Sequence, residues 1–385
     1  MLSSQIQSVA VGYYVWTLTH DPMALAYVGL AQFLPMFALT LIAGDVADTY
    51  DRRVILGVSY GMQAVISSGL FALVLMERPP VEMFYVVLAL LGSVRAFSAP
   101  AGQSFLPLLV PAEQLPRAIA WSSSTCQVAT VAGPAAGGAA LTLGADVAFG
   151  LCLAIFAFVA LLTLGITVES PRRDHSATTV LERITAGIAY VRRTPIVLGA
   201  LSLDLFAVLF GGVTAMLPIY ATSILMVGPE GLGLLRSAPA AGAAVVSIVL
   251  GIWPLDRKSG PLMFACVGLF GVMTIVFGLS TVFVVSLAAL FILGAADMIS
   301  VYVRNSLVQL VTPDHMRGRV SAVNFLFIGA SNELGEFESG LTAAWFGIVP
   351  SVVIGGLGTL GVVALWAYMF PSLRKVDRLT TLKTA

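Results

Sequence analysis

Five ionisable residues, Asp297, Arg304, Glu333, Glu336 and Glu338, fall within residues 296–340, a stretch otherwise apolar enough to sit in lipid. On insertion scales an ionisable group at membrane depth costs roughly 3 kcal/mol unless it is paired or faces a water-filled cavity. So dense a cluster is hard to reconcile with a passive anchor and points to a polar pathway. Asp297, Ser300 and Arg304 stand at i, i+3 and i+7 and share one helical face. Asn324, Ser331 and Glu338 recur every seven residues, drifting only ~20° per step. Glu333 and Glu336 lie nearly opposite them, with Gly329 and Gly340. One set is expected to line the pathway and the other to pack on a neighbouring helix through small residues; the sequence leaves open which. Asp204, in LSLDLFAVLFGG, is a further carboxyl inside an apolar run. The in-span acids Asp204, Asp297, Glu333, Glu336 and Glu338 outnumber the in-span bases Arg95, Arg236 and Arg304. At least one acid is therefore expected to hold a proton at rest, as a proton carrier must.

Other chemistries lack their residues. No G-x-x-x-x-G-K-[ST] loop is present, which argues against an ATP-driven pump. There is no zinc-ligand cluster and no G-x-S-x-G nucleophile turn, so no catalytic residue, metal or cofactor is expected and the chain is not read as an enzyme. Cys126, Cys152 and Cys266 sit in apolar runs and read as small packing residues. The formal net charge of +0 makes a nucleic-acid partner unexpected. The remaining partners are a small-molecule substrate, protons, as an ion gradient is the available energy source, and the lipid bilayer.

These side chains need elements to carry them. The chain has 385 residues, 58% of them hydrophobic and 10% charged, with mean hydropathy +0.95. Soluble domains run near 25% charged, so that class is excluded. Twelve apolar stretches approach the ~20 residues a spanning helix needs: 1–18, 22–47, 54–76, 82–109, 115–142, 146–168, 196–226, 230–252, 261–281, 283–310, 319–345 and 349–370. The first reaches only ~27 Å at 1.5 Å per residue and no charged flank precedes it, which leaves room for a missing start; no cleavable signal-peptide pattern is visible. Of the 20 Lys and Arg, all but Arg78, Arg95, Arg236 and Arg304 fall in alternate loops, the 169–195 linker or the tail. Positive charge stays cytoplasmic, so both termini are expected inside.

The long polar break at 169–195 divides the chain into an N-terminal bundle, 1–168, and a C-terminal bundle, 196–370, followed by a tail, 371–385. Val180, Ile184, Ile188 and Val191 form an apolar stripe in that break. The stripe suggests either an amphipathic helix on the inner membrane surface or a plain solvated linker. The halves also repeat. An offset of 202 places Pro111 on Pro313, Arg117 on Arg319, Gly133 on Gly335 and Gly138 on Gly340. The expectation is an all-α membrane protein of twelve transmembrane helices in two pseudo-symmetric six-helix bundles, with a substrate site near midplane. The same offset sets Arg95 on Asp297, opposite charges at equivalent depth, and the two are expected to pair across a cavity.

Four segments resemble the major facilitator superfamily, in particular its bacterial branch of drug:proton antiporters and enterobactin-exporter-like transporters. GDVADTYDRR (44–53) is similar to the family's loop motif at Gly44, Asp48, Arg52 and Arg53, though Thr49 and Asp51 depart from it. LGSVRAFSAPA (91–101) is similar to the fourth-helix motif around a buried Arg, with Ser98-Ala99 in place of its usual Gln-Gly. AGPAAGG (132–138) matches the exporter-associated fifth-helix motif, and GASNELGEFESG (329–340) resembles a signature of the branch. The resemblance implies the major facilitator fold and a proton-coupling role for Arg95. It also implies a cytoplasmic gate at Asp48, Arg52 and Arg53, and exporter-type helix packing at Gly133, Pro134, Gly137 and Gly138. Together these readings describe a monomeric, multi-pass protein of the bacterial inner membrane that exports an amphipathic small molecule against protons by alternating access. Its pathway runs through Arg95, Asp204, Asp297, Arg304, Asn324, Glu333, Glu336 and Glu338. An uptake symporter or uniporter, or a non-transporting sensor of the same fold, is the alternative.

Overall fold

Lipid offers backbone amides no hydrogen-bond partners, so an apolar run must satisfy its own and becomes helical. A computed structural model of the chain describes residues 1–111, 113–166, 180–255 and 257–377. Its first six long helices are Leu2–Thr19, Pro22–Thr49, Arg52–Val74, Val81–Leu109, Leu115–Leu143 and Ala145–Gly165. Then come Pro195–Ile224, Gly228–Ile252, Ser259–Leu279, Phe283–Val311, Asp314–Phe346 and Ile348–Met369. We call these spans one to twelve. Ten are apolar enough over at least 18 residues to cross a bilayer; the first and the eleventh, richer in Ser, Gln, Asn and Glu, complete the set. The expected ends hold to within a few residues. The largest difference is at the eleventh span, which starts at Asp314, next to Pro313, before its basic turn at Arg317 and Arg319.

The chain packs as two units. The N-terminal unit comprises Met1–His20, Tyr27–Val180 and Gly228–Leu234, and the C-terminal unit comprises Asp21–Ala26, Leu181–Val227 and Leu235–Ala385. Within each, backbones meet at glycine. A Cβ on Gly92 of the fourth span would lie 2.0 Å from the carbonyl oxygen of Gln32 in the second. The C-terminal unit repeats this at Gly294 of the tenth span, 2.0 Å from the carbonyl oxygen of Pro239 in the eighth. Gly138 of the fifth span abuts Pro229 and Gly233, and Gly340 of the eleventh abuts Pro22 and Ala26. The offset of 202 thus carries Gly92 to Gly294 and Gly138 to Gly340, while their partners are 207 residues apart, forward for the first pair and backward for the second. Two turns repeat likewise: Gly144 (φ 141°) joins spans five and six, and Gly347 (φ 92°) joins spans eleven and twelve, at backbone angles side-chain-bearing residues avoid.

Val180–Arg193 is helical. Two residues of its apolar stripe, Ile188 and Val191, pack on protein. Val191 is 2% exposed in a cluster with Val197, Leu201, Val308, Val320 and Val323, and Ile188 packs against the same group. The Tyr190 hydroxyl donates to the Val311 carbonyl at 3.1 Å. The helix is amphipathic because one side docks on spans seven, ten and eleven, a distinction periodicity cannot make. The 167–179 part of the linker and the 378–385 part of the tail lie outside the described residues. The tail's beginning caps the ninth span: Gly260 N–H donates to the Val376 carbonyl at 3.0 Å and Ser259 N–H to that of Asp377 at 3.3 Å.

Replacing Gly294 or Gly92 with Val should destabilise the protein by at least ~2 kcal/mol, the scale of overpacking, and lower its thermal midpoint in detergent. Gly268→Ala and Gly361→Ala, where an added Cβ meets nothing within 4 Å, should hold the midpoint or raise it slightly, as Ala favours a helix interior over Gly.

Candidate functional site

Asp204 is placed by the first, regular part of the seventh span, Pro195–Gly211. Two residues earlier the Trp366 indole donates to the Ser202 hydroxyl at 2.9 Å, and Phe206 packs on the Trp366 ring. This fixes the rotation of the seventh span against the twelfth. Asp204 is 8% exposed and forms an ion pair with Arg304 of the tenth span, itself 3% exposed. The Arg304 Nε–H is buried with no acceptor. The pair is surrounded by apolar residues, Ala200, Leu203, Ala207, Val267, Val303 and Leu307.

Beside the pair is a small cavity, with room for about one water molecule, lined by Asp204, Ala207 and Val208 of the seventh span, Val267 and Phe270 of the ninth, and Asp297 and Ser300 of the tenth. Asp297 lies midway along Phe283–Val311, and Arg304 is two turns further on, ~10.5 Å along the axis. The structure thus brings together Asp204, Asp297 and Arg304, three of the expected pathway residues, within one unit. The helical-face argument anticipated Ser300. Nothing in the sequence marked Val267 and Phe270, which are apolar residues in an apolar helix.

The seventh span does not continue straight past this site. Regular helix ends at Gly211, and Gly212 is extended (φ −68°, ψ 104°). A tight turn at Thr214–Met216 follows, and Tyr220–Ile224 forms a wide turn. The Ser339 hydroxyl of the eleventh span donates to the freed Gly212 carbonyl at 2.9 Å. Gly335, one helical turn earlier, lets the Leu209 carbonyl come within 3.0 Å of where its Cβ would be.

The two polar faces of the eleventh span are now distinguishable. Glu333 and Glu336 lie within electrostatic reach of Arg236 on the eighth span, a base with no evident partner in the sequence alone. Asn324 lies on the other face, its Oδ1 buried and accepting no hydrogen bond, and Glu338 shares that face; neither lines the cavity. In the N-terminal unit Arg95 donates to Gln32 Oε1 at 3.0 Å. Among the loop-motif residues, Arg53 donates to the Leu164 carbonyl, 2.6 Å away at the end of the sixth span, and Asp51 caps the third span by accepting from Arg53 N–H at 2.9 Å. Arg52 is half-buried nearby; the side chain of Asp48 lies outside the described residues. In the fifth span Gly133 and Gly137 meet Gln5 and Ile6 of the first span, and Pro134 is buried inside the helix.

Removing one partner of a buried ion pair strands the other charge, at a cost of about 3–5 kcal/mol. Arg304→Leu should therefore destabilise the protein by that order. The double variant Arg304→Leu, Asp204→Leu should recover most of the loss, measured as thermal midpoints of purified protein.

A family model described as Major Facilitator Superfamily matches residues 1–336. Among curated proteins, the chain is 26% identical over 390 residues to "Enterobactin exporter EntS" of Shigella boydii serotype 18, covering 97% of this chain and 90% of that one. It is 27% identical over 384 residues to the protein of the same name from Citrobacter koseri, at the same coverage. Its fold is similar to that of a bacterial homologue of the iron transporter ferroportin in an inward-facing state (TM-score 0.71, 16% identity, 97% and 95% coverage). A peptide transporter, POT, is likewise similar (TM-score 0.74, 13% identity, 98% and 93% coverage). Twelve long helices, ten of them apolar enough to span, a repeated glycine scaffold and a family match over most of its length lead to one assignment: the chain belongs to the Major Facilitator Superfamily and is a membrane transporter.

Proposed function

We propose that this transporter is a proton-coupled exporter of an amphipathic small molecule, working by alternating access as a monomer in a bacterial inner membrane with both termini cytoplasmic. The observation that carries the reading is the buried Asp204–Arg304 ion pair beside a small cavity lined by both Asp204 and a second carboxyl, Asp297. Three charges in a low-dielectric site balance only when one carboxyl is protonated, and a proton held at mid-membrane is what a coupled transporter exchanges. Export is supported by the printed names of the enterobactin exporters and by the close glycine packing of Gly133, Gly137 and Gly138. Arg95, Asn324, Glu333, Glu336 and Glu338 are assigned to the remaining pathway. Asp48, Arg52 and Arg53 are assigned to the cytoplasmic gate, where Arg53 also ties the third span to the end of the sixth.

The energetics suffice. One proton moving down ~100 mV and one pH unit releases roughly 3.7 kcal/mol, enough to hold a substrate ratio of several hundred. In proteoliposomes, an imposed pH gradient should drive movement of enterobactin or a fluorescent amphiphilic dye, and dissipating the gradient should stop it. The double variant Asp204→Asn, Asp297→Asn should lose the stimulation. Unchanged stimulation in that variant would defeat the coupling assignment, and a probe that binds but never moves would favour a sensor.

A further inference from the structure

The fifth span, Leu115–Leu143, is packed over only half its length. Every one of its buried residues lies in the second half: Gly133, Pro134, Gly137, Gly138, Ala140 and Leu141. The first half contains the run Ser122-Ser123-Ser124-Thr125, exposed at all four positions, followed by Gln127 and Thr130. The span is also the least apolar of the ten that could cross a bilayer. Ser123, Gln127 and Thr130 stand at i, i+4 and i+7 and share one helical face. The same face continues through Pro134, Gly137 and Leu141, and there it packs. A Cβ on Gly137 would lie 3.1 Å from the Cα of Ile6 in the first span, and one on Gly233 would lie 2.7 Å from the Pro134 carbonyl oxygen. Within the N-terminal unit, one face is therefore closed at one end by the first span and the start of the eighth, and bare at the other. Trp121 and Val128, both exposed, lie on the opposite face, which suits lipid.

The scaffold does not demand this polarity. The offset of 202 carries Ser123, Gln127 and Thr130 to Phe325, Gly329 and Asn332 of the eleventh span. There the first half of the span is covered. Val320 and Val323 are fully buried in the cluster that holds Val191, and a Cβ on Gly187 would lie 2.6 Å from the Arg319 carbonyl oxygen. In hydrocarbon a hydroxyl or amide left unbonded costs about 1–3 kcal/mol, so so polar a face belongs to water or to a ligand. Its chemistry is uncharged: no charged residue occurs between Arg117 and Asp146. The Thr130 hydroxyl donates to its own helix, to the Cys126 carbonyl at 2.8 Å, and presents an acceptor. The Ser123 hydroxyl and the Gln127 carboxamide each donate and accept.

We propose that the bare half of this face is a substrate-recognition surface that reads uncharged hydroxyl and amide groups of the exported amphiphile and is indifferent to its charge. The inference rests on the exporter reading above and names the groups by which the substrate is chosen. Gln127 is about 6 Å beyond Ser123 along the axis and Thr130 about 4.5 Å further. A complementary substrate therefore carries hydrogen-bonding groups over about 10 Å. Ile119, one turn before Ser123 on the same face and exposed, meets the apolar part of the molecule. An amphiphile with a compact charged head and no hydroxyl gains nothing here.

The test is equilibrium binding to the full chain in lipid nanodiscs with three probes. These are enterobactin, its O-methylated derivative, whose hydroxyl hydrogens are gone, and the cationic dye rhodamine 6G. The wild type should bind enterobactin at least ~tenfold more tightly than the O-methylated derivative, the scale of two hydrogen bonds. The double variant Ser123→Ala, Gln127→Ala should lose that preference, while its affinity for rhodamine 6G and its ligand-free thermal midpoint stay at wild-type values. Ser123→Thr with Gln127→Asn, which keeps the same groups, should regain part of the preference. Trp121→Ala, on the opposite face, should keep it in full. A double variant that retains the preference, a wild type without one, or an equal loss in Trp121→Ala would overturn the assignment. A wild type that carries none of the three probes across a proteoliposome membrane would instead overturn the exporter reading.

Discussion

Charge buried where water is scarce is the constraint that organises this molecule. In the C-terminal unit Asp204 and Arg304 are both almost fully enclosed, and each makes the other tolerable. The surroundings are arranged to keep them there. Trp366 clasps Ser202, Thr359 donates to the Ala207 carbonyl at 3.0 Å, and spans seven, nine, ten and twelve close an apolar shell. Such a pair contributes little net stability compared with a hydrophobic replacement. Its presence is better understood through what the charges can exchange with.

The scaffold repeats but the chemistry does not. Gly92 and Gly294 hold the fourth and tenth spans against their neighbours by the same backbone contact, and Gly138 and Gly340 do the same for the fifth and eleventh. Three residues beyond each of the first two glycines, one unit has Arg95 against the neutral Gln32, and the other has Asp297 on a cavity with a second acid. Equivalent geometry therefore presents opposite charge. Glycine fixes how closely the helices approach, leaving the neighbouring side chains free to differ.

The broken seventh span joins the charged site to possible movement. A helix interrupted inside a bundle leaves carbonyls without partners, tolerable only where protein satisfies them. Here Ser339 supplies the donor and Gly335 the clearance. Both flank Glu336 on the eleventh span, whose acidic face serves Arg236 of the eighth. One helix thus supports the break on one side and a second charged group on another.

The twelve spans, their ends, the repeat and the position of each ionisable residue along its helix were legible in the sequence, because length, hydropathy and helical period are local properties that lipid enforces. Asp297, Ser300 and Arg304 could be placed on one face for the same reason. Which charges meet was not legible. Asp204 and Arg304 are a hundred residues apart, and Arg236 finds Glu333 and Glu336 on a helix three spans later; helix rotation and tilt decide such pairings. The docking of Val180–Arg193 on protein and the break at Gly212 also depend on neighbours. The sequence set where along its helix each charge stands, while packing between helices decided what it faces.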